Sequence, residues 1–202
     1  MRENVEGWPD DVRLRGVTES IVTTLGPNGL WNLAALGLRA PTLDDVGGKR
    51  VTARTWGRTR TWRNFRERGG GVVQFVADPR LFVDAALSVT EREDAVLPAA
   101  TAWVRVEVER VGEGEEGGTQ WVDWALTPVE TVVSDTEVPT FNRGYAAVVE
   151  ATVAVSRLDV PGYDREGLLD RLRWLASVVE RAGGPRERDA YERIREYADA
   201  EW

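Results

Sequence analysis

Short β-branched or alternating segments joined by tight turns are the feature of this sequence that most limits its fold. Residues 18–26 (TESIVTTLG) end in Gly-Pro-Asn-Gly, a strong turn signal, and residues 30–39 can return as the second strand of a hairpin. Four further segments have strand patterns: residues 50–56, 71–77, 102–111 and 119–126. The last two flank GEGEEGG, which predicts an exposed hairpin loop. Six such strands without regular strand–helix alternation predict a small antiparallel barrel.

Helical patterns fill the gaps between these strands. Residues 61–68 predict one short helix. Asp78 and Pro79 are typical of an N-cap followed by a first-turn proline, and they predict a second helix that ends near Leu87. The stretch NRGYAAVVEATVAVSRL, which follows Phe141, has the apolar stripe of a third helix.

The C-terminal part has a different pattern from the barrel. Apolar residues recur at helical spacing from Leu168 to Val179, Gly183-Gly184-Pro185 breaks the pattern, and Tyr191 resumes it, which predicts an αα-hairpin. The fold class is therefore mainly β with helices (α+β): a small antiparallel β-barrel with a C-terminal α-helical hairpin. We place the barrel domain at residues 14–136 and the helical region, packed on the barrel or on a partner subunit, at residues 137–202.

Composition excludes several kinds of chemistry. The chain has no Cys and no His, so it has no disulfide, thiolate nucleophile, imidazole base or Cys/His metal site. Ser-His-Asp and Cys-His catalysis are therefore excluded, and we expect no metal site. Any redox or group-transfer chemistry must come from a bound cofactor.

The charge balance bears on partners and habitat. Asp and Glu outnumber Lys and Arg by 34 to 26, and the net charge of -8 argues against nucleic acid or an anionic membrane as a partner. Lys49 is the only lysine, and such an acidic, lysine-poor surface suits the salt-rich cytoplasm of a halophile. GC-rich codon usage, which favours Arg over Lys, is the alternative explanation. No apolar run approaches the roughly 18 residues of a spanning helix, and Met1 opens into polar residues rather than a signal peptide, so we expect a cytoplasmic protein.

One segment concentrates positive charge in this acidic chain. Residues 50–68 contain seven arginines and a single acidic residue, Glu67. Such a basic cluster favours an anionic ligand. If Thr61 caps the following helix, then free backbone N–H groups, the Thr59 and Thr61 hydroxyls, the Asn64 amide and an arginine can surround a phosphate. The alternative is an arginine-rich helix that forms surface ion pairs with acidic loops.

The same residues also resemble a known family. Thr61-x-x-Asn64, preceded by arginines at the end of a strand and followed by VVQFV, is similar to the phosphate-binding signature of the flavin-reductase-like FMN-binding split barrels. The segments ESIVTT, WNLAALGLR, RTWRNF, ADPRLFVDAAL, NRGYAAVVEATVAVSRL and AGGPRERDAYERI resemble, in order, an uncharacterised archaeal branch of that superfamily, domain of unknown function 447. The resemblance covers nearly the whole chain. It implies a homodimeric FMN-binding split β-barrel with the flavin near the subunit interface.

The resemblance further implies which residues hold the flavin. The family's phosphate-binding stretch falls on Thr59, Arg60, Thr61 and Asn64, and Arg58 is a cofactor-binding candidate beside them. The strand that lines the flavin ring falls on Asn32, Leu33, Ala34 and Ala35, where relatives commonly read Asn-Ala-Ala-Pro. The missing proline leaves a backbone N–H at Ala35. Simple packing is the alternative reason for the two alanines.

Two other places are candidates for ligand or partner contact. Asn142 and Arg143 precede a helix where the family also has Asn-Arg; Asn142 can cap that helix, and Arg143 is a candidate to reach a ligand or a partner chain. Trp56 and Trp62 flank the basic segment and are candidates to contact the flavin or the partner subunit. Capping alone explains Asn142, and packing is the alternative role of the tryptophans.

The leading hypothesis is an FMN-dependent oxidoreductase, similar to flavin reductases, in which reduced nicotinamide exchanges a hydride with the flavin. No side chain is identified as catalytic. The alternative is a non-catalytic module that holds a flavin or another phosphorylated ligand, because fold does not imply function. The sequence leaves open whether the protein is an enzyme.

Overall fold

The computed structural model describes residues 2–3, 7–9, 12, 14–41, 50–136, 140–198 and 200–202. Lys49, the only lysine, lies outside these residues. Position 137, at which the sequence analysis begins the helical region, also lies outside them. The chain forms two compact units, Met1–Ala77 with Thr90–Glu137 and Asp78–Val89 with Val138–Trp202. The segment Asp78–Val89 thus belongs to the second unit, although the sequence analysis places it in the barrel domain. The reason is that Val83 and Leu87 pack in the apolar cluster of the C-terminal helices.

The first unit is an antiparallel barrel with one helix. Its strands are β1 (Arg2–Glu3), β2 (Val17–Leu25), β3 (Trp31–Arg39), β4 (Val51–Trp56), β5 (Gly70–Val76), β6 (Thr90–Arg92), β7 (Ala100–Glu116) and β8 (Thr119–Val133), and its helix is α1 (Arg60–Arg68). The strands pair in the order β8-β4-β3-β2-β5-β7, and β7 pairs with β8 to close a six-stranded ring. The short strands β6 and β1 add to β3 and β8 outside this ring. The predicted antiparallel barrel and its α+β class are confirmed.

Period-two alternation explains the barrel interior. Along β3, Ala34, Leu36 and Leu38 pack into one apolar cluster. Phe65 from α1 and Trp124 from β8 enter the same cluster, with their rings edge to face and their centroids 5.5 Å apart. Successive strand residues point to opposite faces, so every second residue of β3 faces this cluster.

The β7–β8 hairpin is longer than expected, and the prediction that GEGEEGG forms a loop is wrong. Both strands continue to Glu116 and Thr119, and only Gly117 and Gly118 form the turn. Both glycines have positive φ, 57° and 80°, as a two-residue turn that follows the strand twist requires. Gly114 lies within the strand because Trp121 opposite occupies the place of a side chain: a Cβ on Gly114 would lie 2.5 Å from the indole.

The second unit contains α2 (Pro79–Leu87), α3 (Arg143–Val155), α4 (Arg165–Ala182) and α5 (Pro185–Tyr197). The predicted caps are confirmed: Asp78 accepts from the N–H of Arg80, and Asn142 accepts from the N–H groups of Gly144 and Tyr145. The predicted break between α4 and α5 lies at Gly183 and Gly184. Apolar residues from all four helices form the core, among them Val83, Val148, Leu172, Val179 and Ile194.

The described residues include neither a membrane-spanning helix nor a cluster of metal-ligating side chains. None of the helices in these ranges is long and apolar enough to cross a membrane. The same ranges contain no group of three or more carboxylate, His or Cys side chains placed to hold a metal ion.

Candidate functional site

The N-terminus of α1 lies where β4 leaves the barrel. Thr59 is extended and its side chain accepts a hydrogen bond from the N–H of Trp62, at 3.2 Å. Thr59 is therefore the N-cap, and the prediction that Thr61 caps this helix is wrong. Thr61 is instead a buried residue of the first turn. The N–H groups of Arg60 and Thr61 bind no acceptor in the described part of the chain, as expected at a helix N-terminus.

Asn64 fastens α1 to the barrel. Its side chain is 1% exposed, and its amide nitrogen donates to the hydroxyl of Thr24 on β2, at 3.0 Å. Its amide oxygen accepts from Nε of Arg63, at 3.4 Å. The amide that the sequence suggests for phosphate binding thus has partners within the protein, and the contact shown by the structure is one that positions the helix.

The predicted ring strand lies beside this attachment point. Thr24 is opposite Asn32 in the β2–β3 register, so Asn64 and Asn32 are linked through a single residue. Asn32 and Leu33 are each 4% exposed. The structure therefore brings the phosphate-binding candidates on α1 and the start of the ring-lining segment to one region of the barrel.

The four ring-lining candidates divide between two faces of β3. Ala34 packs against the barrel cluster, which supports packing as the reason for this alanine. Leu33 and Ala35 alternate with it and point to the other face. Among the described residues, β6 pairs with residues 31–33 of β3 and β4 with residues 38–39, so residues 34–37 have a strand partner only on the β2 side. This gap leaves one backbone edge of β3 without a strand.

The seven arginines of the basic segment fall into two groups. Three are paired with carboxylates: Arg50 with Glu109, Arg54 with Asp123 and Arg60 with Glu91. Four form no ion pair within the described residues: Arg58, Arg63, Arg66 and Arg68. The ion-pair alternative raised by the sequence therefore accounts for three of the seven, and the unpaired four lie on α1 or immediately before it.

Two of the paired arginines, Arg54 and Arg60, have different surroundings. Both nitrogens that Arg54 uses lie 2.7 Å from the carboxylate oxygens of Asp123, and these bonds raise the pKa of the guanidinium, which also stacks 3.7 Å from the ring of Trp121. Arg60 donates to Glu91 at 2.7 Å. The other oxygen of Glu91 accepts from Asn28 in the β2–β3 turn, at 3.1 Å. A carboxylate thus shares the site with a residue predicted to bind phosphate.

Sequence reasoning missed three residues here, Thr24, Arg63 and Glu91. In the sequence, only the membership of Arg63 in the cluster of seven arginines pointed to a role in the site. Glu91 lies on β6, which has three residues and is too short to show an alternating pattern. Arg143, by contrast, is the first residue of α3 in the second unit, where it is exposed and forms no ion pair within the described ranges.

Comparison with known proteins identifies the family. The model of the N-terminal domain of "Protein of unknown function (DUF447)" matches residues 18–135, and the model of the C-terminal part of the same family matches residues 142–196. This chain belongs to the DUF447 family. The resemblance inferred from the sequence is therefore confirmed.

Solved structures resemble this DUF447 protein to different degrees. An FMN-bound DUF447 protein from Methanosarcina mazei is 26% identical, with a TM-score of 0.75, and the match covers 91% of this chain and 96% of that one. Nitrilotriacetate monooxygenase component B from Bacillus cereus is a looser match, 16% identical with a TM-score of 0.47, over 63% of this chain and 74% of that one.

The donor set of the DUF447 chain fits a phosphate group. In the described part of the chain, two N–H groups at the N-terminus of α1 bind no acceptor and the guanidinium of Arg58 forms no ion pair. Together with the Thr59 side chain, these are donors of the kind that bind phosphate oxygens. The helix is nine residues long and has no acidic residue in its first turn, so no carboxylate on α1 itself competes at this end.

Proposed function

We propose that this protein binds FMN, with Arg58, Thr59, Arg60, Thr61 and Asn64 at the phosphate and residues 32–35 at the flavin ring. The observation that carries the proposal is the geometry of α1. Its N-terminus offers two N–H groups that bind no acceptor among the described residues, and its Asn64 is bonded to Thr24, the residue opposite Asn32. The FMN-bound relative from Methanosarcina mazei supports FMN as the occupant. Bound FMN supplies hydride or single-electron transfer, which the side chains of this chain cannot supply.

The site residues have different roles in this proposal. Arg58 and the N–H groups of Arg60 and Thr61 bind phosphate oxygens directly. Asn64 is a positioning residue, because both ends of its amide are bonded within the protein. Glu91 holds the Arg60 side chain close to the same helix end.

The ring segment acts mainly through its backbone. Ala35 is small and points away from the barrel cluster that Ala34 packs against, so a planar ring can approach the main chain closely at Ala35. The edge of β3 at residues 34–37 has no strand partner opposite β2 in the described structure. The N–H of Ala35, which a proline would remove, remains available as a donor.

We further propose that the protein is a cytoplasmic homodimer that acts as an oxidoreductase, in which reduced nicotinamide reduces the bound flavin. Hydride exchange between nicotinamide and flavin needs no side-chain acid, which agrees with a chain that has no His and no Cys. Arg143 is proposed to contact the ligand or the partner subunit.

Cofactor identity is tested by releasing the ligand from purified protein with heat and separating it by chromatography. We expect FMN at one molecule per chain, either as purified or after reconstitution. FAD in its place, or no flavin retained after incubation with excess FMN, would contradict the proposal.

Activity is tested separately on the FMN-loaded protein under anaerobic conditions. Reduced nicotinamide dinucleotide should bleach the flavin absorbance, and dithionite serves as the control that the flavin is reducible. Bleaching by dithionite alone would support the alternative, a non-catalytic module that holds a flavin.

A further inference from the structure

The face of α1 that carries Trp62 lies across the helix from Asn64. Trp62 and Arg66 are four residues apart and therefore lie one above the other, whereas Asn64 is about half a turn away. Asn64 packs on β2, and Trp62 and Arg66 line a groove between α1 and β7. Its lining includes none of the residues proposed to hold the FMN phosphate, and the nearest of these is Arg58, whose guanidinium carbon lies 6.0 Å from the centre of the Trp62 ring.

The groove is apolar at its base and cationic at its rim. Its cavity has a volume of about 580 Å³ and three aromatic side chains line it, Trp62, Phe65 and Trp124, of which the last two are buried. The charged residues that line it are Arg66 and Arg110. No acidic side chain is among its described lining residues.

The two arginines are available to a ligand to different extents. Arg66 forms no ion pair in the described structure, and its guanidinium carbon lies 5.4 Å from the centre of the Trp62 ring. Arg110 bonds to Glu113, at 2.9 Å, but both side chains are about 60% exposed, so this surface pair is weak. Glu113 lines a neighbouring cavity, together with Arg58, and does not line this one, although the two cavities share Trp62 and Arg110.

We propose that this groove is a second ligand site, distinct from the flavin site, that binds a planar aromatic anion. Aromatic walls bind the faces and edges of a flat ring. The guanidinium of Arg66, which forms no ion pair in the described structure, and that of Arg110, which is held only by the weak surface pair with Glu113, bind its carboxylate or phosphate. The volume is in the range of small-molecule sites, roughly 300–1,000 Å³. The site requires no flavin and stands whether or not the protein binds FMN.

Calorimetric titration with 2-naphthoate tests the site, with neutral 2-naphthylmethanol as the uncharged match. We expect one naphthoate site per chain, with the alcohol bound about ten-fold more weakly. The titration is repeated on FMN-saturated and on flavin-free protein, and the affinity should be the same in both.

Matched variants locate the binding. Arg66→Gln should weaken naphthoate about ten-fold, and Trp62→Leu should also weaken it. Arg68→Gln removes the same charge from the same helix, lies outside the groove and should have no effect. Trp174→Leu, at a 61% exposed residue of α4, is the control for the loss of an indole.

Three outcomes would overturn the proposal. One is absence of naphthoate binding by wild-type protein of normal circular dichroism, as would follow if a second copy of the chain covered the groove. Another is equal binding by the Arg66→Gln and Arg68→Gln proteins. The third is displacement of naphthoate by FMN, which would place both ligands in one site while leaving the FMN proposal intact.

Discussion

Arg58 and Arg60 are two residues apart and have different surroundings. Arg60 is held by Glu91, which in turn binds Asn28, so its guanidinium is part of a network that joins α1, β6 and the β2–β3 turn. Arg58 is exposed, forms no ion pair with any described residue, and has its guanidinium carbon 6.0 Å from the centre of the Trp62 ring. An incoming phosphate would compete with a carboxylate at Arg60 but not at Arg58. Substitution of Arg58 should therefore weaken phosphate binding with little effect on the stability of the protein.

Asn64 should contribute to stability even without a ligand. Replacing it with Ala leaves the buried Thr24 hydroxyl without its donor, which costs about 1–3 kcal/mol of unfolding free energy. Denaturant unfolding of the flavin-free protein measures this loss. Arg58→Gln, at an exposed residue, should change the free energy by less than about 0.5 kcal/mol. Equal stability of the Asn64→Ala protein and wild type would show that the amide is not a structural tie.

The length of the β7–β8 hairpin depends on one close contact. A Cβ at Gly114 would lie 2.5 Å from Trp121, which is also held by Arg54, so Gly114→Ala must displace the indole. We expect a loss of about 1–3 kcal/mol in unfolding free energy and a change in near-ultraviolet circular dichroism. At Gly112, two residues away, the nearest atoms would be 3.7 Å from the new Cβ, so Gly112→Ala should be tolerated. Similar effects of the two substitutions would contradict this packing.

The first turn of α2 should make stability depend on pH. Hydrogen bonds from Arg80 lower the pKa of Asp78, which also caps the helix. Because the folded pKa is below the unfolded one, this stabilisation is present above about pH 4 and is lost as the pH falls through the lowered pKa. Asp78→Ala should therefore cost about 1 kcal/mol at neutral pH and much less in acid.

Helical circular dichroism during urea unfolding at several pH values checks this. Asp170→Ala removes an exposed carboxylate of α4 and serves as the control. A deficit in the Asp78→Ala protein that does not shrink in acid would show that the charge contributes nothing.

Elements with a strong local signal were predictable and those without one were not. The Asp78-Pro79 start of α2 and the Asn142 cap of α3 were predicted because a cap is a local interaction of a few neighbouring residues. The strands over GEGEEGG were missed because charged and glycine residues hide the alternation, and the contact that requires Gly114 comes from the opposite strand. Glu91 was missed because its partner, Arg60, is 31 residues away along the chain.

At the scale of the whole molecule, each of the two units is built from two separate segments of the chain. The barrel was predictable because its hairpins join strands that are neighbours in sequence. The sequence does not predict that α2 belongs to the helical unit. This membership depends on contacts with residues more than a hundred positions away, such as those of Asp84 with Arg193 and Tyr197.

Self-association is the prediction at this scale. We expect sedimentation in high salt to give twice the chain mass of 22.5 kDa, with screening of the net charge of -8 favouring association. A second experiment at low salt shows how strongly charge repulsion opposes the dimer. A monomer that retains FMN under both conditions would contradict the proposed homodimer while leaving the flavin site in place.

The most direct test of the flavin site compares FMN with riboflavin, which lacks the phosphate, on wild-type protein and two arginine variants. Flavin fluorescence titration should show that Arg58→Gln weakens FMN by about ten- to a hundred-fold and leaves riboflavin nearly unchanged. Arg188→Gln, on α5, should leave both affinities unchanged, because this side chain binds a carbonyl within the helical unit. If FMN binds the Arg58→Gln and Arg188→Gln proteins equally well, or if riboflavin weakens as much as FMN, then the phosphate does not bind at the N-terminus of α1.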